Sequence, residues 1–207
     1  MKHLVVIAVC VTTCACSKPA PAPSPAVAAA PPAAAASSPA SGSIAGRVQT
    51  TGTAVVVLDP KTARAFPPPS EKPVMDQAGL TFGPELLLVR TGYPVEFRNS
   101  DDTLHNVRVS HEETRVSAFN VAIPTGESYT YTFERDGFYR VGCDIHPAMA
   151  ASVFAAASPF ATLAGTDGRF TFSDVPAGAW TITVYTDGRR LHTDVDVTAG
   201  VTNVTVE

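Results

Sequence analysis

The sequence predicts an all-β protein that follows an exported amino-terminal segment. Short segments rich in branched and aromatic residues, many of them alternating apolar and polar positions, recur along the chain after residue 53. Turn-forming residues separate them, for example Pro124-Thr125-Gly126 and Asp167-Gly168. Outside the Ala/Pro-rich stretch, no segment of about twelve residues or more has a helical period. Many short strands joined by regular turns are typical of a sandwich or barrel.

The amino terminus has the form of a signal peptide, predicted over residues 1–16. A basic start at Lys2 precedes an apolar run over residues 4–11, which is too short to span a bilayer. Cys16 follows small residues in a sequence that resembles a bacterial lipobox, so it would be lipidated. Ser17 then favours the outer membrane and a periplasm-facing lipoprotein. Ordinary cleavage, which leaves a soluble periplasmic protein, is the alternative.

Residues 17–43 are predicted to form a disordered tether. They are almost entirely Ala, Pro and Ser, with no apolar periodicity from which a core could be built. An Ala-rich helix is the competing interpretation, but the repeated prolines oppose it. An extended Pro-rich tether would reach roughly 80 Å. The rest of the chain suffices for one or two modest domains, and its net charge of −4 without a basic patch argues against nucleic acid as a partner.

The predicted strands share β-branched and aromatic composition and end at Gly, Pro or Asp. The earliest are Val- and Leu-rich, whereas "SYTYTFE" and "AWTITVYT" alternate strictly between apolar or aromatic and polar residues. In chain order the predicted strands span 54–59, 85–90, 93–99, 104–110, 128–134, 137–143, 151–156, 169–175, 179–186 and 201–207.

A lone thiol stands out in the stretch "VGCDIHPAMA", residues 141–150. Cys143, His146 and Met149 are spaced three residues apart, which suits a tight loop around one ion. Under lipoprotein processing Cys143 is the only free thiol left. Because exported proteins normally pair their cysteines, an unpaired one is either buried and inert or held by a metal.

An earlier strand offers His105 as a fourth donor. Two histidines and a thiolate in trigonal array, with a weak axial thioether, define a blue-copper electron-transfer site. Zinc would favour a closed tetrahedral set, usually without methionine. The alternative is that Cys143 and His105 are core residues and that the other two donors are incidental.

Residues 72–156 resemble a cupredoxin, a member of the plastocyanin and amicyanin family with a Greek-key β-sandwich or barrel. The motifs that carry the resemblance are "FGPELLLVRTGYPVEFRNSDDTLHNV" and "GESYTYTFERDGFYRVGCDIHPAM", and the short Cys-x-x-His-x-x-Met loop is most similar to that of amicyanins. The resemblance implies one type 1 copper per chain, with four ligands: His105, Cys143, His146 and Met149.

The resemblance also implies roles for neighbours of the ligands. Asn106 would tether the cysteine loop. Asp144 departs from the Ser or Thr common at this position; its carboxylate can still accept from Asn106, and its charge would favour Cu(II) if it points inward. His146, Pro147 and Ala148 would form an apolar electron port, with simple loop packing as the alternative.

Three further residues are not predicted to bind metal. His111 lies in the charged stretch "SHEETR" and is predicted to be a solvated loop residue, whereas His192 and Met75 are predicted to be structural.

The carboxyl-terminal part resembles a carboxypeptidase-regulatory-like domain, a small immunoglobulin-like sandwich. The motif "TDGRFTFSDVPAGAWTITV" carries the resemblance, and residues 42–59 are similar to that family's first two strands. We therefore expect a discontinuous sandwich, 44–60 and 162–207, with a cupredoxin domain over 61–161 inserted in it. The competing interpretation gives 54–59 to the copper domain as its first strand, although the segment "KPVMDQAGL", residues 72–80, can supply that strand instead.

These observations predict an exported type 1 copper protein that carries single electrons between periplasmic redox partners. A dehydrogenase or a cytochrome c would be the partner, and the lipid anchor would hold the chain at a membrane. An enzyme is not expected, because a type 1 centre has no open coordination position. The alternatives are a non-redox protein that buffers or delivers copper, and a structural or adhesive β module with a vestigial site.

Overall fold

The structure is a computed structural model that describes residues 40–50 and 52–207. These residues form strands, turns and loops without any helix, so the all-β prediction is confirmed. In chain order the strands are β1 (Ser41–Val48), β2 (Val55–Pro60), β3 (Val74–Ala78), β4 (Thr81–Gly83), β5 (Leu86–Arg90), β6 (Pro94–Asn99), β7 (His105–His111), β8 (Ser117–Ile123), β9 (Ser128–Thr132), β10 (Gly137–Gly142), β11 (Ala150–Ala156), β12 (Ala161–Leu163), β13 (Arg169–Pro176), β14 (Gly178–Thr186), β15 (Arg189–Val197) and β16 (Gly200–Val206).

The predicted signal peptide, the lipidation site Cys16 and most of the predicted tether lie outside the described residues. Strand β1 begins at Ser41, so the last three residues assigned to the tether belong to a strand. Within the described ranges, no helix is long and apolar enough to cross a membrane.

Strands from both ends of the chain build one sandwich, here named the terminal sandwich. Its sheets have the orders β13-β1-β16 and β12-β2-β14-β15. Side chains alternate between the two faces of a strand, so Ile44 and Val48 of β1 point inward toward Trp180 of β14. Trp180 is fully buried, and it is the only tryptophan of the chain.

The strands from β3 to β11 build the second sandwich, named the central sandwich. Its sheets have the orders β5-β11-β10-β7-β8 and β4-β3-β6-β9. Phe97 and Phe133 lie fully buried in its core, and Phe97 packs edge-on against Phe119 with ring centroids 5.2 Å apart. Cys143 and Met149 belong to the same buried cluster, which places the candidate loop against this core.

The terminal sandwich pairs strands from the two ends of the described chain, on either side of the central sandwich in sequence. Strand β2 pairs with β12 and β14, and β1 pairs with β13 and β16, so strands from before and after residues 61–160 lie side by side. The predicted domain boundaries themselves stay a prediction, for which a truncation test is given below.

An apolar junction joins the sandwiches. Val55 and Val57 of β2 lie in one buried cluster with Phe154 of β11, and the Phe154 ring lies 4.9 Å from that of Tyr185 and 4.7 Å from that of Phe138. These contacts involve the beginning of β10 and the end of β11. The loop between those two strands therefore lies at the opposite end, away from the junction.

Four strands were not predicted individually: β4, β8, β12 and β15. Strand β8 carries an alternating pattern through Phe119, Val121 and Ile123, and β15 carries one through Leu191, Val195 and Val197. Polar residues between these positions dilute both patterns in the sequence. The pairing of β8 with β7 and of β15 with β14 stabilises them as strands.

Candidate metal centre

Three donor side chains from two separate parts of the chain converge in the central sandwich. His105 is the first residue of β7, Cys143 directly follows β10, and His146 lies in the loop before β11. The two Nδ1 atoms are 3.0 Å apart, and Cys143 Sγ lies 3.9 Å from each of them. The three donor atoms thus fit the first coordination sphere of a single ion.

Burial differs among the three donors. His105 is 0% exposed and Cys143 is 3% exposed, whereas His146 is half-buried. The centre is therefore shielded from water on the side of the core and reaches the surface through one imidazole.

The donor set tests which ion the site fits. Both Nδ1 atoms and the Sγ atom face the same small space, and a thiolate with two imidazoles suits copper or another soft to borderline metal rather than Mg²⁺ or Ca²⁺. His105, Cys143 and His146 therefore fit the copper that the sequence predicts.

Met149 closes the loop that carries two of the donors. Its backbone N–H donates to the His146 carbonyl at 2.9 Å, and its own carbonyl accepts from the Cys143 N–H at 3.3 Å. The Met149 side chain is buried beside Cys143 in the core. Its role as a weak axial ligand stays a prediction.

Asn106 fastens the cysteine loop to β7, as the resemblance implies. Its Oδ1 accepts from the backbone N–H groups of Asp144 at 2.7 Å and Ile145 at 3.3 Å. The Cys143 thiol also donates to this oxygen, at 3.3 Å. One buried amide oxygen thus orients both the loop backbone and the sulfur.

Asp144 points outward, not toward the sulfur. Its side chain is 47% exposed and forms an ion pair with Arg108, whose Nε donates to Oδ1 at 2.7 Å. Asn106 and Asn120 each donate to Oδ2 at 3.1 Å. The Arg108 guanidinium, followed by the Asn120 amide, lowers the pKa of Asp144, so the carboxylate is ionised and its charge is offset at the surface.

Asp101 is a partner of the site that was not predicted from the sequence. Its carboxylate accepts from His105 Nε2 at 2.8 Å. Because a carboxylate only accepts, Nε2 carries the proton and Nδ1 keeps its lone pair for the cluster. The backbone N–H groups of Leu80 and Gly79 donate to the same carboxylate, and with the His105 bond they lower its pKa.

The turn that presents Asp101 is itself held by a buried side chain. Asn99 Nδ2 donates to the carbonyls of Thr103 and Ile123, both at 2.8 Å, and its Oδ1 accepts from the Asp101 N–H at 3.0 Å. This bonding fixes the segment that leads into His105. In the sequence, an acidic residue four positions before the ligand His105 is too common a pattern to predict this contact.

The surface around His146 is apolar. Pro147 and Ala148 are exposed, as the predicted electron port requires, although their role stays a prediction. Two larger neighbours were not foreseen: Ile145 is 47% exposed and Leu104 is 48% exposed. Each adjoins a histidine of the cluster in sequence.

The prediction for His111 was wrong, because this side chain is buried. Its Nε2 donates to the Asp136 carbonyl at 3.2 Å, its Nδ1 accepts from the Thr114 N–H at 3.2 Å, and its ring packs on Tyr139. His111 ends β7, whereas His105 begins it, so the two histidines lie at opposite ends of the strand.

The chain was compared with known proteins. Residues 71–155 match the family model described as copper binding proteins, plastocyanin/azurin family. A comparison with curated proteins finds no match.

Similar solved structures include amicyanins and one larger enzyme. A reduced tryptophan-to-tyrosine mutant of amicyanin is 24% identical over 42% of this chain and 85% of its own, with a TM-score of 0.38. Amicyanin from Paracoccus versutus (Thiobacillus versutus) is 20% identical over 42% and 84%, with a TM-score of 0.38. The copper-containing nitrite reductase from Thermus scotoductus SA-01 is 26% identical over 47% and 25%, with a TM-score of 0.38.

The family match and the geometry agree on the same part of the chain. His105, Cys143 and His146 all lie within the matched residues and form a cluster able to hold one metal ion. Residues 71–155 therefore form a cupredoxin-like domain that matches the copper-binding plastocyanin/azurin family model, and copper is the cofactor that its donor cluster fits.

Proposed function

We propose that the chain is an exported type 1 copper protein that carries single electrons between periplasmic redox partners. The observation that carries the proposal is the convergence of the His105, His146 and Cys143 donor atoms within 4.8 Å of one another in a buried cluster. Copper bound there would supply a one-electron redox change.

The residues of the chain supply a fixed, shielded site. Asn106 holds the cysteine loop and Asp101 holds the His105 ring, so the donor atoms need little rearrangement on metal binding. The core excludes water from His105 and Cys143. A ligand set held by its own hydrogen bonds favours fast electron exchange, because it resists the geometry change that either oxidation state would prefer.

The apolar edge at His146 supports a docking role for this face. Exposed Ile145, Pro147 and Ala148 are neighbours of His146 in the chain. Exposed Leu104 precedes His105, whose ring lies 4.7 Å from that of His146. An apolar patch of this kind can exclude water when a partner binds. The proposed partner is a periplasmic dehydrogenase or a cytochrome c. Both candidates come from the resemblance to amicyanins and plastocyanins.

The cellular location of the protein is part of the same proposal. A signal peptide over residues 1–16, lipidation at Cys16 and a tether to residue 43 would hold the copper domain on the periplasmic side of the outer membrane. Without lipidation the mature chain would be soluble in the periplasm.

The terminal sandwich is proposed to be a carboxypeptidase-regulatory-like module that supports the copper domain. Its junction involves Phe138 and Phe154, at the end of β10 and β11 that is far from the Cys143 loop. Support from that side leaves the His146 face open to a partner.

Reconstitution of the metal-free chain with Cu(II) tests the function. We expect an intense blue colour from thiolate-to-copper charge transfer, one copper per chain, and reversible reduction and reoxidation. A colourless complex that passes its copper to a chelator would instead support a buffering or delivery protein. Failure to bind copper would support the vestigial site.

A further inference from the structure

We propose that Arg108 is a positioning residue that sets the reduction potential of the copper site through Asp144, by holding this carboxylate outward and offsetting its charge. The inference rests on the proposed function. It concerns a residue that is not a ligand and that lies on the outer face of the five-stranded sheet.

The contacts around Asp144 carry the first step. The residue directly follows Cys143, and its N–H is bound by the same Asn106 oxygen that accepts from the thiol. The carboxylate is therefore tied to the sulfur through one shared amide. A change in the position or the net charge of the Asp144 carboxylate therefore alters the electrostatic potential at the thiolate. That potential affects the balance between Cu(I) and Cu(II).

The position of Arg108 carries the second step. Arg108 lies opposite Gly142 in the pairing of β7 with β10, and a Cβ on Gly142 would be 3.3 Å from Nη2 of Arg108. The absence of a side chain at Gly142 leaves room for the guanidinium to lie over β10. From there its Nε reaches Asp144 Oδ1 at 2.7 Å.

The sign of the effect follows from charge alone. An uncompensated carboxylate on the residue next to the thiolate favours Cu(II), which carries more positive charge, whereas the guanidinium opposes this preference. Both side chains are about half exposed, so water and salt screen the effect and it should shrink as ionic strength rises.

The test is the equilibrium of the copper-loaded chain with a one-electron redox mediator. Arg108→Gln should shift the equilibrium constant toward Cu(II) about two- to fourfold, the size expected for one half-exposed charge. At 59 mV per tenfold this lowers the potential by roughly 18 to 36 mV. Asp144→Asn should shift it the opposite way, and Arg108→Lys should restore most of the original value.

Action through Asp144 has its own signature. In the Asp144→Asn background, Arg108→Gln should produce less than half of the shift that it produces in the natural chain. Equal shifts in both backgrounds would mean that Arg108 acts as an independent surface charge, and would overturn the inference.

A matched arginine controls for general surface charge. Arg140 lies on the neighbouring strand of the same sheet, outward-facing and paired with Glu112 at 2.7 Å. Arg140→Gln removes the same charge without touching Asp144, so its shift should be less than half of that of Arg108→Gln. An equal shift would contradict the proposed specificity.

The metal-free chain provides a readout that does not depend on copper. Because Asn106 still binds the loop, hydrogen exchange at the Asp144 and Ile145 amides should be unchanged by Arg108→Gln. Faster exchange would assign Arg108 a merely structural role and overturn the inference.

The two proposals fail in different ways. If the natural chain shows a reversible copper couple that Arg108→Gln leaves unmoved, only this inference fails. If the natural chain shows no reversible couple at all, the proposed function fails and the inference falls with it.

Discussion

The Nδ1 atoms of His105 and His146 lie 3.0 Å apart, although 41 residues separate the two histidines in the chain. Strand β7 supplies one ring and the loop after β10 supplies the other, and the pairing of these strands fixes the separation between the rings. Cys143 completes the cluster from the same loop. The site is therefore a consequence of sheet register, and its chemistry can be tested one ligand at a time.

Replacing the sulfur ligand should abolish the colour of the copper form. We expect Cys143→Ser to lose the intense visible absorption, because charge transfer from the thiolate creates it. Met149→Leu should stay blue with a raised reduction potential, because an axial thioether bond is long and weak. Absorption spectra and potentiometry check both results. A Cys143→Ser chain that stays blue would contradict the ligand assignment.

Removing the partner of His105 should weaken copper binding. Asp101→Ala leaves the ring without its carboxylate acceptor, and loss of such outer partners typically lowers metal affinity about 10- to 100-fold. Asp102→Ala is the matched control, since Asp102 is the adjacent, exposed carboxylate. Competition with a copper chelator measures both affinities, and equal losses in the two variants would rule out a specific role for Asp101.

Truncation after residue 160 should leave an unstable, poorly soluble protein. The cut removes β12 to β16, so β1 and β2 lose their pairing partners and expose apolar side chains such as Ile44 and Leu58. An excised fragment of residues 68–158 should fold and bind copper, although it would expose Phe154 of the junction. Thermal unfolding compares the two proteins; equal stability would assign residues 44–59 to the copper domain and contradict the insertion.

Replacing the proposed lipidation site should release the protein from the membrane. We expect Cys16→Ser to move the chain into the soluble periplasmic fraction, because the acyl anchor can no longer form. Its copper spectrum should be unchanged, since the donors His105, Cys143 and His146 are all far from residue 16 in the chain. Cell fractionation with absorption spectroscopy tests this. Membrane retention of the Cys16→Ser chain would argue against the anchor.

The sequence contained the ligands of the site but not all of its supports. Cys143, His146 and Met149 are adjacent in the chain, so their spacing alone suggests a metal loop. The bond from His105 to Asp101 is different. It depends on the backbone of Gly79 and Leu80 meeting the carboxylate from a distant turn, which no local pattern reveals.

Burial was harder to predict than strand formation. His111 lies among charged residues in the sequence, yet its side chain is buried. The Tyr139 ring contacts it from β10, and the Asp136 carbonyl contacts it from the turn before that strand. Asp144 is the opposite case: it follows the buried ligand Cys143, yet its side chain points outward and pairs with Arg108. Both outcomes follow from contacts across the sheet, which depend on register.

A half-buried carboxylate near the junction gives the terminal sandwich a pH dependence. Burial, followed by the nearby charge of Asp136, raises the pKa of Asp59 above its ordinary value of 3.8, and His192 opposes the shift. A raised carboxyl pKa means that the ionised form is less favourable in the folded state than in the unfolded one. The cost to stability is therefore full above the folded-state pKa and absent below about pH 3.8.

Asp59→Asn should accordingly raise the free energy of unfolding at pH 7, and the difference from the natural chain should vanish as the pH falls below 3.8. Asp194→Asn is the matched control with the opposite sign: a hydrogen bond from Lys61 lowers the pKa of Asp194, so its loss should destabilise the chain at neutral pH. Denaturant titrations followed by the fluorescence of Trp180 measure both, since this buried side chain lies in the core of the terminal sandwich. An Asp59→Asn chain that is less stable than the natural one at pH 7 would mean that the carboxylate forms a favourable contact when ionised, contrary to the desolvation argument.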